Sequence, residues 1–277
     1  MRSRYEPIKC EGPSFTRSSI FHNFLRSWLA HLVRNVHIDE PSAVDVRYQI
    51  IKEKAFLRRI YKEWYEQLIA ALPPGDGAVL EIGGGTSFLR EQFPEALTSD
   101  VLHHRGLDVV LNGLALPVAE GALRGLVLLD VLHHLAEPRR FFAEASRCVR
   151  PGGVIVMIEP WVTAWSKFVY RNLHHEPFCV ETTQWEFPST GPLSGANGAL
   201  PWIIFQRDRD QFTREFPDWA IRKVEVQMPF RYLLSGGVSM RSLVPGWSYW
   251  LWTVFERAVQ PWIQSLGMFA FISLERR

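Results

Sequence analysis

The sequence has little of what would assign the chain to several common classes of protein. Its three cysteines, Cys10, Cys148 and Cys179, are odd in number and contain no CxxC pair. Neither a disulfide framework nor a zinc site is therefore expected, and a reducing compartment is favoured. The formal net charge is only +2, so there is no electrostatic case for a nucleic-acid partner.

Long apolar runs are also missing. Residues 1–11 are polar and lack the apolar core of a signal peptide. The nearest approach to a membrane span, Ala258–Leu274, is interrupted by Pro261 and Gly267, so we interpret it as the end of a helix followed by a buried strand. The chain is predicted to be cytoplasmic, and peripheral contact with a membrane is left open as an alternative.

The chain does contain ample apolar material. Of its 277 residues 47% are hydrophobic, which is enough to bury the core of one large domain with additions. Eleven tryptophans are many for this length, and several lie in the C-terminal third. The aromatic residues around position 250 are predicted to pack in the core, the alternatives being an apolar substrate wall or a membrane surface. They are Trp247, Tyr249, Trp250, Trp252 and Phe255.

Residues 1–72 are predicted to form a helical segment that covers a functional site. Apolar residues recur at helical spacing in FHNFLRSWLAHLVRNV (21–36) and again in VRYQIIKEKAFLRRIYKEWYEQLIAAL (46–72). The turn residues PPGDG at 73–77 then end the helical pattern. Residues 73–277 are predicted to form a single α/β domain.

The pattern after residue 77 alternates between strand and helix. Apolar strands in AVLEIGG, LTSD, LDVVLNG, LRGLVLLD and VIVMIEP alternate with helical segments such as PRRFFAEASRCVR. This alternation predicts a parallel sheet that is covered on both faces. Residues 161–202 break the rhythm and are predicted to be a lid-like insertion after the fifth strand. The chain then closes with a long strand in AIRKVEVQMPFRYLL, a helix and a strand in MFAFISLERR.

The stretch VLEIGGGTSFLRE (79–91) places three glycines between a strand and a helix, where a ligand can approach the backbone closely. Gly83 and Gly85 fit the first two positions of the GxGxxG dinucleotide fingerprint. Phe88 stands at the third position, where its bulk opposes close packing of helix on strand. No Lys-Ser or Lys-Thr follows the glycines, which excludes a Walker phosphate loop.

Glu81 followed by the three glycines resembles the first motif of class I S-adenosylmethionine-dependent methyltransferases. The resemblance continues through LNGLALPVAEGALRGLVLLDVLHHLAEPRRFFAEASRCVRPGGVIVMIEP (111–160), which is similar to the acid, LPF, FD, LHHL, LRPGG, EP series of this superfamily. Leu123, Arg124 and Asn112 depart from it, since relatives commonly have Phe-Asp and Asp at these places. The resemblance implies a Rossmann-like α/β fold with seven mostly parallel strands, helices on both faces and an antiparallel last strand.

The resemblance also implies S-adenosyl-L-methionine as cofactor and S-adenosyl-L-homocysteine as product. Asp100, at the end of the second strand, is expected to accept hydrogen bonds from both ribose hydroxyls. Asn112 is expected to accept one from the adenine amino group. The cofactor-binding residues that the resemblance implies are Glu81, Gly83, Gly84, Gly85, Asp100, Asn112, Gly113, Leu114, Asp130 and His133.

Three His-His pairs raise the question of a metal site. They are His103-His104, His133-His134 and His174-His175. Adjacent side chains diverge on strands and helices alike, and no HxxxH or cysteine partner completes a site, so no metal is predicted. His174 and His175 are candidates for a general base. Glu159 is a candidate for a residue that contacts the acceptor. Structural or surface roles are the alternatives for all three.

The predicted activity is methyl transfer to a small-molecule or lipid- or sugar-linked acceptor, with O-methylation favoured. The aromatic C-terminal third favours an acceptor that is apolar, aromatic or lipid-linked. Such a reaction depends on in-line alignment of the two substrates, with a base if the acceptor is a hydroxyl. The alternatives are a non-catalytic partner protein with a methyltransferase fold and an NAD(P)-dependent oxidoreductase. The sequence leaves the acceptor and the oligomeric state open.

Overall fold

A computed structural model of the protein describes residues 40–85, 88–104, 106–174, 176–189, 191 and 195–277. At its centre lies one seven-stranded sheet. In chain order the strands are β1 (Ala78–Ile82), β2 (Leu97–Asp100), β3 (Val109–Val110), β4 (Leu123–Leu129), β5 (Val149–Pro160), β6 (Trp219–Gln227) and β7 (Phe269–Arg276). Across the sheet the order is β3-β2-β1-β4-β5-β7-β6.

The sheet is mostly parallel. Strands β1 to β5 run in one direction, and β7 is antiparallel to both of its neighbours, β5 and β6. Strand β4 is buried along most of its length, which explains its continuous apolar sequence, since a strand covered on both faces has no polar side. The predicted fold class is confirmed.

Helices surround this sheet. In chain order they are α1 (Pro41–Glu53), α2 (Ala55–Ala70), α3 (Phe88–Gln92), α4 (Pro138–Cys148), α5 (Ala164–Leu173), α6 (Leu200–Trp202), α7 (Arg209–Glu215), α8 (Arg231–Ser235), α9 (Tyr249–Ala258) and α10 (Ile263–Leu266). A π-helical turn, Ile203–Arg207, joins α6 to α7. The helix predicted at 21–36 lies outside the described residues. No described helix is long and apolar enough to cross a membrane.

The helical pattern at 46–72 forms two helices rather than one. The break is at Lys54, whose backbone leaves the helical region (φ −85°, ψ 91°). Its ammonium group donates to the carbonyls of Ser235 and Gly237, at 3.3 and 2.6 Å, and to that of Met240. Burial lowers the pKa of Lys54 to about 8. The break is therefore a tertiary feature, because its partners lie far away in the sequence.

Three details of the C-terminal half differ from the sequence predictions. The strand predicted over AIRKVEVQMPFRYLL ends at Gln227, and its last residues form α8. Cys179 is disulfide-bonded, which the odd number of cysteines did not predict. Of the aromatic residues predicted to be core, Trp247, Trp250 and Phe255 are exposed.

Candidate active site

A cavity of about 1180 Å³ opens at one edge of the sheet. It is lined by residues at the carboxyl ends of β1, β2, β4 and β5 and at the start of the antiparallel β7: Ile82, Asp100, Leu129, Asp130, Pro160 and Phe269. Ligands of open parallel sheets bind at this edge. Most of the cofactor-binding residues predicted from the sequence line this cavity.

The glycine turn after β1 forms part of the cavity wall. Gly83 has a left-handed backbone (φ +69°), and a Cβ added there would lie 2.6 Å from Cγ2 of Val131. A Cβ added at Gly85 would lie 3.0 Å from Oδ2 of Asp100. Side chains at these positions would therefore displace the loop after β4 and press on the carboxylate at the end of β2. Gly83 and Gly85 line the cavity.

Glu81 lies beneath this turn and is fully buried. Its Oε1 accepts a hydrogen bond of 2.7 Å from the hydroxyl of Tyr65. Among the described residues none hydrogen-bonds its Oε2, which would lie 2.4 Å from a Cβ added at Gly84. Burial raises the pKa of Glu81 to about 7, against the effect of the Tyr65 hydrogen bond. Glu81 supports the turn from below and does not line the cavity.

This raised pKa has a testable consequence for stability. Between the ordinary pKa of a glutamate and pH 7 the folded protein holds a proton on Glu81 that the unfolded chain has released, so stability falls as pH rises. Glu81→Gln is expected to remove about 3 kcal/mol of this decline. Urea denaturation of wild type and variant at several pH values between 4.5 and 8 measures the difference. Parallel curves for the two proteins would contradict the expectation.

Asp100 points its carboxylate toward the glycine turn. Its Oδ1 accepts a hydrogen bond of 2.9 Å from the backbone N–H of Leu102, and the residue lines the cavity. Burial raises the pKa of Asp100 above its usual value, although the Leu102 N–H and nearby cationic groups oppose the effect. The carboxylate is thus partly desolvated and lies where a bound hydroxyl group could reach it.

Asn112, Gly113 and Leu114 also line the cavity, next to β3. The side-chain oxygen of Asn112 accepts a hydrogen bond of 2.9 Å from the backbone N–H of Leu114. This is the local turn that asparagine favours. An amide oxygen has a second lone pair, so the role predicted for Asn112 toward adenine stays a prediction.

Phe88 occupies the position of the third glycine of a dinucleotide fingerprint. Its ring is buried and stacks on Tyr48 of α1 at a centroid distance of 5.1 Å. It also contacts Tyr61 of α2 at 6.2 Å. The aromatic ring therefore fastens the N-terminal helices to the domain at the place where a dinucleotide site needs close packing of helix on strand.

Asp130, at the end of β4, has an unusual backbone conformation. Its φ is +63°, a strained value for a residue with a side chain and one that often marks a functional site. Burial raises its pKa to about 6, and the neighbouring Glu159 acts in the same direction, while His133 opposes it. Asp130 lines the cavity.

His133 and Glu159 lie behind the cavity wall. Glu159 accepts hydrogen bonds from the backbone N–H groups of Val131 and Leu132, at 2.9 and 2.7 Å, and pairs with Nδ1 of His133 at 2.8 Å. Both side chains are fully buried. Burial alone would lower the pKa of His133, but hydrogen bonds with Glu159 and Glu176 raise it well above the usual value. The pair therefore holds the loop after β4 from behind.

His134, His174 and Glu176 lie on the cavity side of this pair. Glu176 reaches His133 Nε2 at 3.6 Å and His134 Nε2 at 3.9 Å. Burial opposes ionisation of Glu176, but the hydrogen bond and charge of His133 keep its pKa well below the usual range. His174 accepts a hydrogen bond of 3.2 Å from the backbone N–H of Glu176 at Nδ1. His175 lies outside the described residues.

One pair of adjacent histidines does not diverge, contrary to the prediction. Residues 132–134 form a 3-10 turn, and the rings of His133 and His134 lie 4.1 Å apart. With Glu176 they offer donor atoms within 4.8 Å of one another, close enough to hold a metal ion. Hydrogen bonds and ion pairs within the protein account for the same arrangement, so we draw no metal role from it.

Several lining residues were not identified from the sequence. They are Ala43, Val44 and Arg47 of α1, Tyr61 of α2, Tyr170 of α5, Glu176, Phe178 and Tyr232. Tyr61, Tyr170 and Tyr232 are buried deeply enough to raise their pKa values. Only Glu176 had a local signal, since it follows the His174-His175 pair directly in the sequence. The others are conventional helix or loop residues that tertiary packing turns toward the cavity.

Comparisons with known proteins agree with this geometry. Residues 90–157 match a family described as a methyltransferase domain. An uncharacterized methyltransferase of Mycolicibacterium gilvum (strain PYR-GCK) is 30% identical over 99 residues, which cover 28% of this chain and 37% of that protein. The chain thus spans about a third of that relative's length.

A solved structure resembles most of the chain. Geranyl diphosphate C-methyltransferase from Streptomyces coelicolor A3(2), in complex with Mg²⁺, geranyl diphosphate and S-adenosyl-L-homocysteine, is similar over 83% of this chain and 84% of its own. The identity is 13% and the TM-score 0.51. The chain shares the fold of this methyltransferase, and the family match at residues 90–157 agrees with the resemblance to methyltransferases predicted from the sequence.

Proposed function

We propose that the chain is an S-adenosylmethionine-dependent methyltransferase that acts on an apolar or lipid-linked small molecule. The observation that carries this proposal is the cavity itself. One cavity joins the glycine turn and Asp100 to a chamber with apolar walls that include Val169, Phe178 and Leu233. Its volume of about 1180 Å³ exceeds that of most single-ligand pockets, at roughly 300–1,000 Å³. There is room for a cofactor and an acceptor together.

The residues at the polar end suit S-adenosylmethionine. The absence of a side chain at Gly85 leaves the Asp100 carboxylate open to the cavity, as a ribose diol requires. Phe88 stands where a pyrophosphate site needs glycine, but a cofactor without phosphate has no such need. Asp100 and Asp130 supply negative charge for a cationic ligand, and Arg47 is a suitable partner for its carboxylate.

Asp130 is the residue we propose as general base. When bound, S-adenosylmethionine supplies a methyl group that is already activated for transfer. The protein has to align the acceptor, exclude water and receive a proton. A pKa near 6 leaves the Asp130 carboxylate ionised at neutral pH and basic enough to accept that proton. O-methylation of a hydroxyl is the reaction class that needs such a base.

For Glu159 and His174 we propose positioning roles in place of the catalytic roles predicted from the sequence. Both oxygens of Glu159 are bound to the loop after β4 and to His133, so we propose that Glu159 positions the wall rather than touching the acceptor. His174 accepts the Glu176 N–H at Nδ1, which in the neutral ring leaves the proton on Nε2. His174 lines the cavity, where it is suited to orienting the acceptor. His175 stays a prediction.

The N-terminal helices and the insertion are proposed as the cover of the site. Val44 and Arg47 on α1 line the cavity, as do Tyr170 and Phe178 within the 161–202 segment. Closing such a cover would exclude water and select the acceptor. The domain division at residue 72 and the lid role of 161–202 are part of this proposal.

Asp130→Asn is expected to reduce the rate of methyl transfer by about 10²- to 10⁴-fold, the usual contribution of a general base. Binding of S-adenosylmethionine should weaken much less than the rate, because Asp100, the carboxylate proposed for the ribose, is untouched. In wild type the rate should rise with pH through about 6, following the pKa of Asp130. In a pH-rate profile the variant should not show this rise. A variant with wild-type rate and profile would remove Asp130 from the mechanism.

The function itself is tested with methyl-labelled cofactor. Purified protein and labelled S-adenosylmethionine are incubated with lipid and aqueous fractions of a source extract, and mass spectrometry identifies labelled products. We expect label in an apolar product. Calorimetric titration separates the alternatives: binding of S-adenosylmethionine without any labelled product indicates a non-catalytic partner, and binding of NADH instead indicates an oxidoreductase.

A further inference from the structure

Helix α9 exposes its apolar side chains to solvent and buries a charged one, the opposite of an ordinary surface helix. Its exposed side chains follow helical spacing and are apolar: Trp250, Leu251, Val254 and Phe255. Its buried residue is charged, since Glu256 is only 6% exposed. A helix on the surface of a water-soluble domain normally places its apolar stripe inward. Here the stripe faces outward.

The burial of Glu256 fixes this orientation. Its Oε1 accepts from the backbone N–H groups of Phe230 and Arg231, at 2.9 and 2.8 Å, and its Oε2 pairs with the Arg231 guanidinium at 2.5 Å. These contacts lie on the side of α9 opposite to its apolar stripe. Rotating the helix to bury the stripe would expose a buried ion pair and leave two N–H groups without an acceptor. Both changes would lower the stability of the fold. The outward stripe is therefore built into the packing.

Segments before and after α9 carry further exposed apolar side chains, and we call the whole set the aromatic face. It consists of Leu243, Trp247, Trp250, Leu251, Val254, Phe255 and Trp262. Trp247, Trp250 and Trp262 are 68%, 60% and 61% exposed. Tryptophan combines a large apolar ring with one N–H donor, and it concentrates where hydrocarbon meets water. Clustered exposed apolar side chains of this kind mark an interaction surface.

The exposed charged residues of the segment that carries the aromatic face are basic. Between residues 238 and 268 the sequence contains a single acidic residue, the buried Glu256, and two exposed arginines, Arg241 and Arg257. Arg257 follows Trp250 by seven residues and so lies on the same side of α9. Arg59 adds a further cation beside the face, with its guanidinium 5.7 Å from the Tyr249 ring centroid.

We propose that the aromatic face docks onto an anionic phospholipid bilayer, with its apolar side chains in the interfacial layer and its arginines against the lipid phosphates. Tryptophan, phenylalanine and leucine flanked by basic residues are the composition that binds such a surface. A second copy of the same face fits less well. A two-fold contact would bring the arginines of two copies together across an apolar surface, and Glu63, a partly exposed acid beside α9, is already paired with Arg231.

One residue of the aromatic face also belongs to the cavity. Leu243 belongs to the face and also lines the cavity, as do its neighbours Met240 and Arg241. Where the proposed methyltransferase function holds, an apolar acceptor can pass from the bilayer into the cavity along Met240 and Leu243 without crossing water. Docking itself does not depend on that function, because it rests on the face alone.

Vesicle flotation tests the docking with the full chain. The probes are vesicles of phosphatidylcholine alone and of phosphatidylcholine with phosphatidylglycerol. We expect the chain to float with the anionic vesicles and to bind them less as salt is raised. Leu251→Ser, in the aromatic face, is expected to lower the partition coefficient roughly tenfold or more. Arg257→Glu should weaken binding to anionic vesicles while neutral ones show little change.

Leu97→Ser is the matched control. Leu97 is 43% exposed at the start of β2, against 42% for Leu251, so both variants remove the same exposed side chain. The control should bind as wild type. Circular dichroism and S-adenosylmethionine titration should be unchanged in both variants, which separates failure of docking from failure of the proposed function.

Three results would overturn the docking. The docking is contradicted directly if the wild-type chain floats with neither vesicle type. Equal binding by wild type and Leu251→Ser would place the lipid contact elsewhere in the chain. A dimer in analytical ultracentrifugation that Leu251→Ser dissociates would show that the face joins two copies instead.

Discussion

Replacement of Asp100 by alanine is expected to abolish measurable binding of S-adenosylmethionine. The carboxylate lies at the end of β2, facing Gly85, and it lines the cavity. A carboxylate that accepts from both hydroxyls of a ribose forms two charge-assisted hydrogen bonds, each worth about 1.5–3 kcal/mol. Losing both corresponds to a reduction in affinity of about 10²- to 10⁴-fold.

The fold should survive this change. Burial raises the pKa of Asp100, so the folded protein gains nothing from the ionised carboxylate itself. The variant loses the hydrogen bond accepted from the Leu102 N–H and a backbone hydrogen bond with Val101, at a cost of about 1 kcal/mol each. Urea denaturation should therefore show a small loss of stability, while isothermal titration calorimetry shows a large loss of binding.

Two further variants serve as comparisons for Asp100→Ala. Asp100→Asn keeps the shape and one accepting oxygen, so an intermediate affinity is expected. Asp76→Ala removes a carboxylate from the exposed loop before β1 and should bind as wild type. If Asp100→Ala bound the cofactor within about threefold of wild type, the cofactor site would lie elsewhere.

Replacement of Glu256 by leucine is expected to destabilise the fold by about 3–5 kcal/mol, the usual cost of breaking a buried ion pair. It leaves the Arg231 guanidinium without one of its carboxylates and the N–H groups of Phe230 and Arg231 without their acceptor. Glu63 still binds Arg231 at 2.6 and 2.8 Å, but its side chain is far more exposed than that of Glu256. It cannot replace an acceptor at the start of α8.

A double-mutant cycle with Arg231→Met separates the ion pair from the other contacts. Because the two side chains touch, their effects should fall short of additivity by about 1–3 kcal/mol. Glu256→Gln keeps an oxygen for the N–H groups and should cost less than leucine. Arg257→Gln, on the exposed side of the same helix, should stay within about 0.5 kcal/mol of wild type. Additive single effects would show that the two residues act independently.

Much of the fold could be predicted from the sequence because its signals are local. The apolar runs of β1, β4 and β5 reflect burial on both faces of a parallel sheet, and each run is contiguous in the chain. The three glycines at 83–85 and the acid at position 100 follow consecutive strands, so the parallel order of the sheet brings them to one edge. The same local signals fail at Lys54, where distant partners break a predicted helix in two, and at residues 228–235, where part of a predicted strand forms α8.

The candidate site was predictable only in part, for a related reason. Motif spacing identified residues that follow strands, but not which way their side chains turn. Glu159 and His133 have the residue types of a catalytic pair, yet the structure uses both to hold the loop after β4. Arg47 reaches the cavity from α1, and no pattern within that helix distinguishes it from a solvated arginine.

The sequence by itself determined the sheet, the glycine turn and the resemblance to class I methyltransferases, because these depend on residues that are neighbours in the chain. Only the tertiary structure decided that Asp130 faces the cavity while Glu159 lies behind it, and that α9 turns its aromatic side outward. Those outcomes rest on contacts between residues 25 or more positions apart, such as Glu256 with Arg231 and Glu159 with Leu132. Periodicity along a chain records which residues are apolar, but the direction a helix or loop faces depends on the partner that satisfies its polar groups.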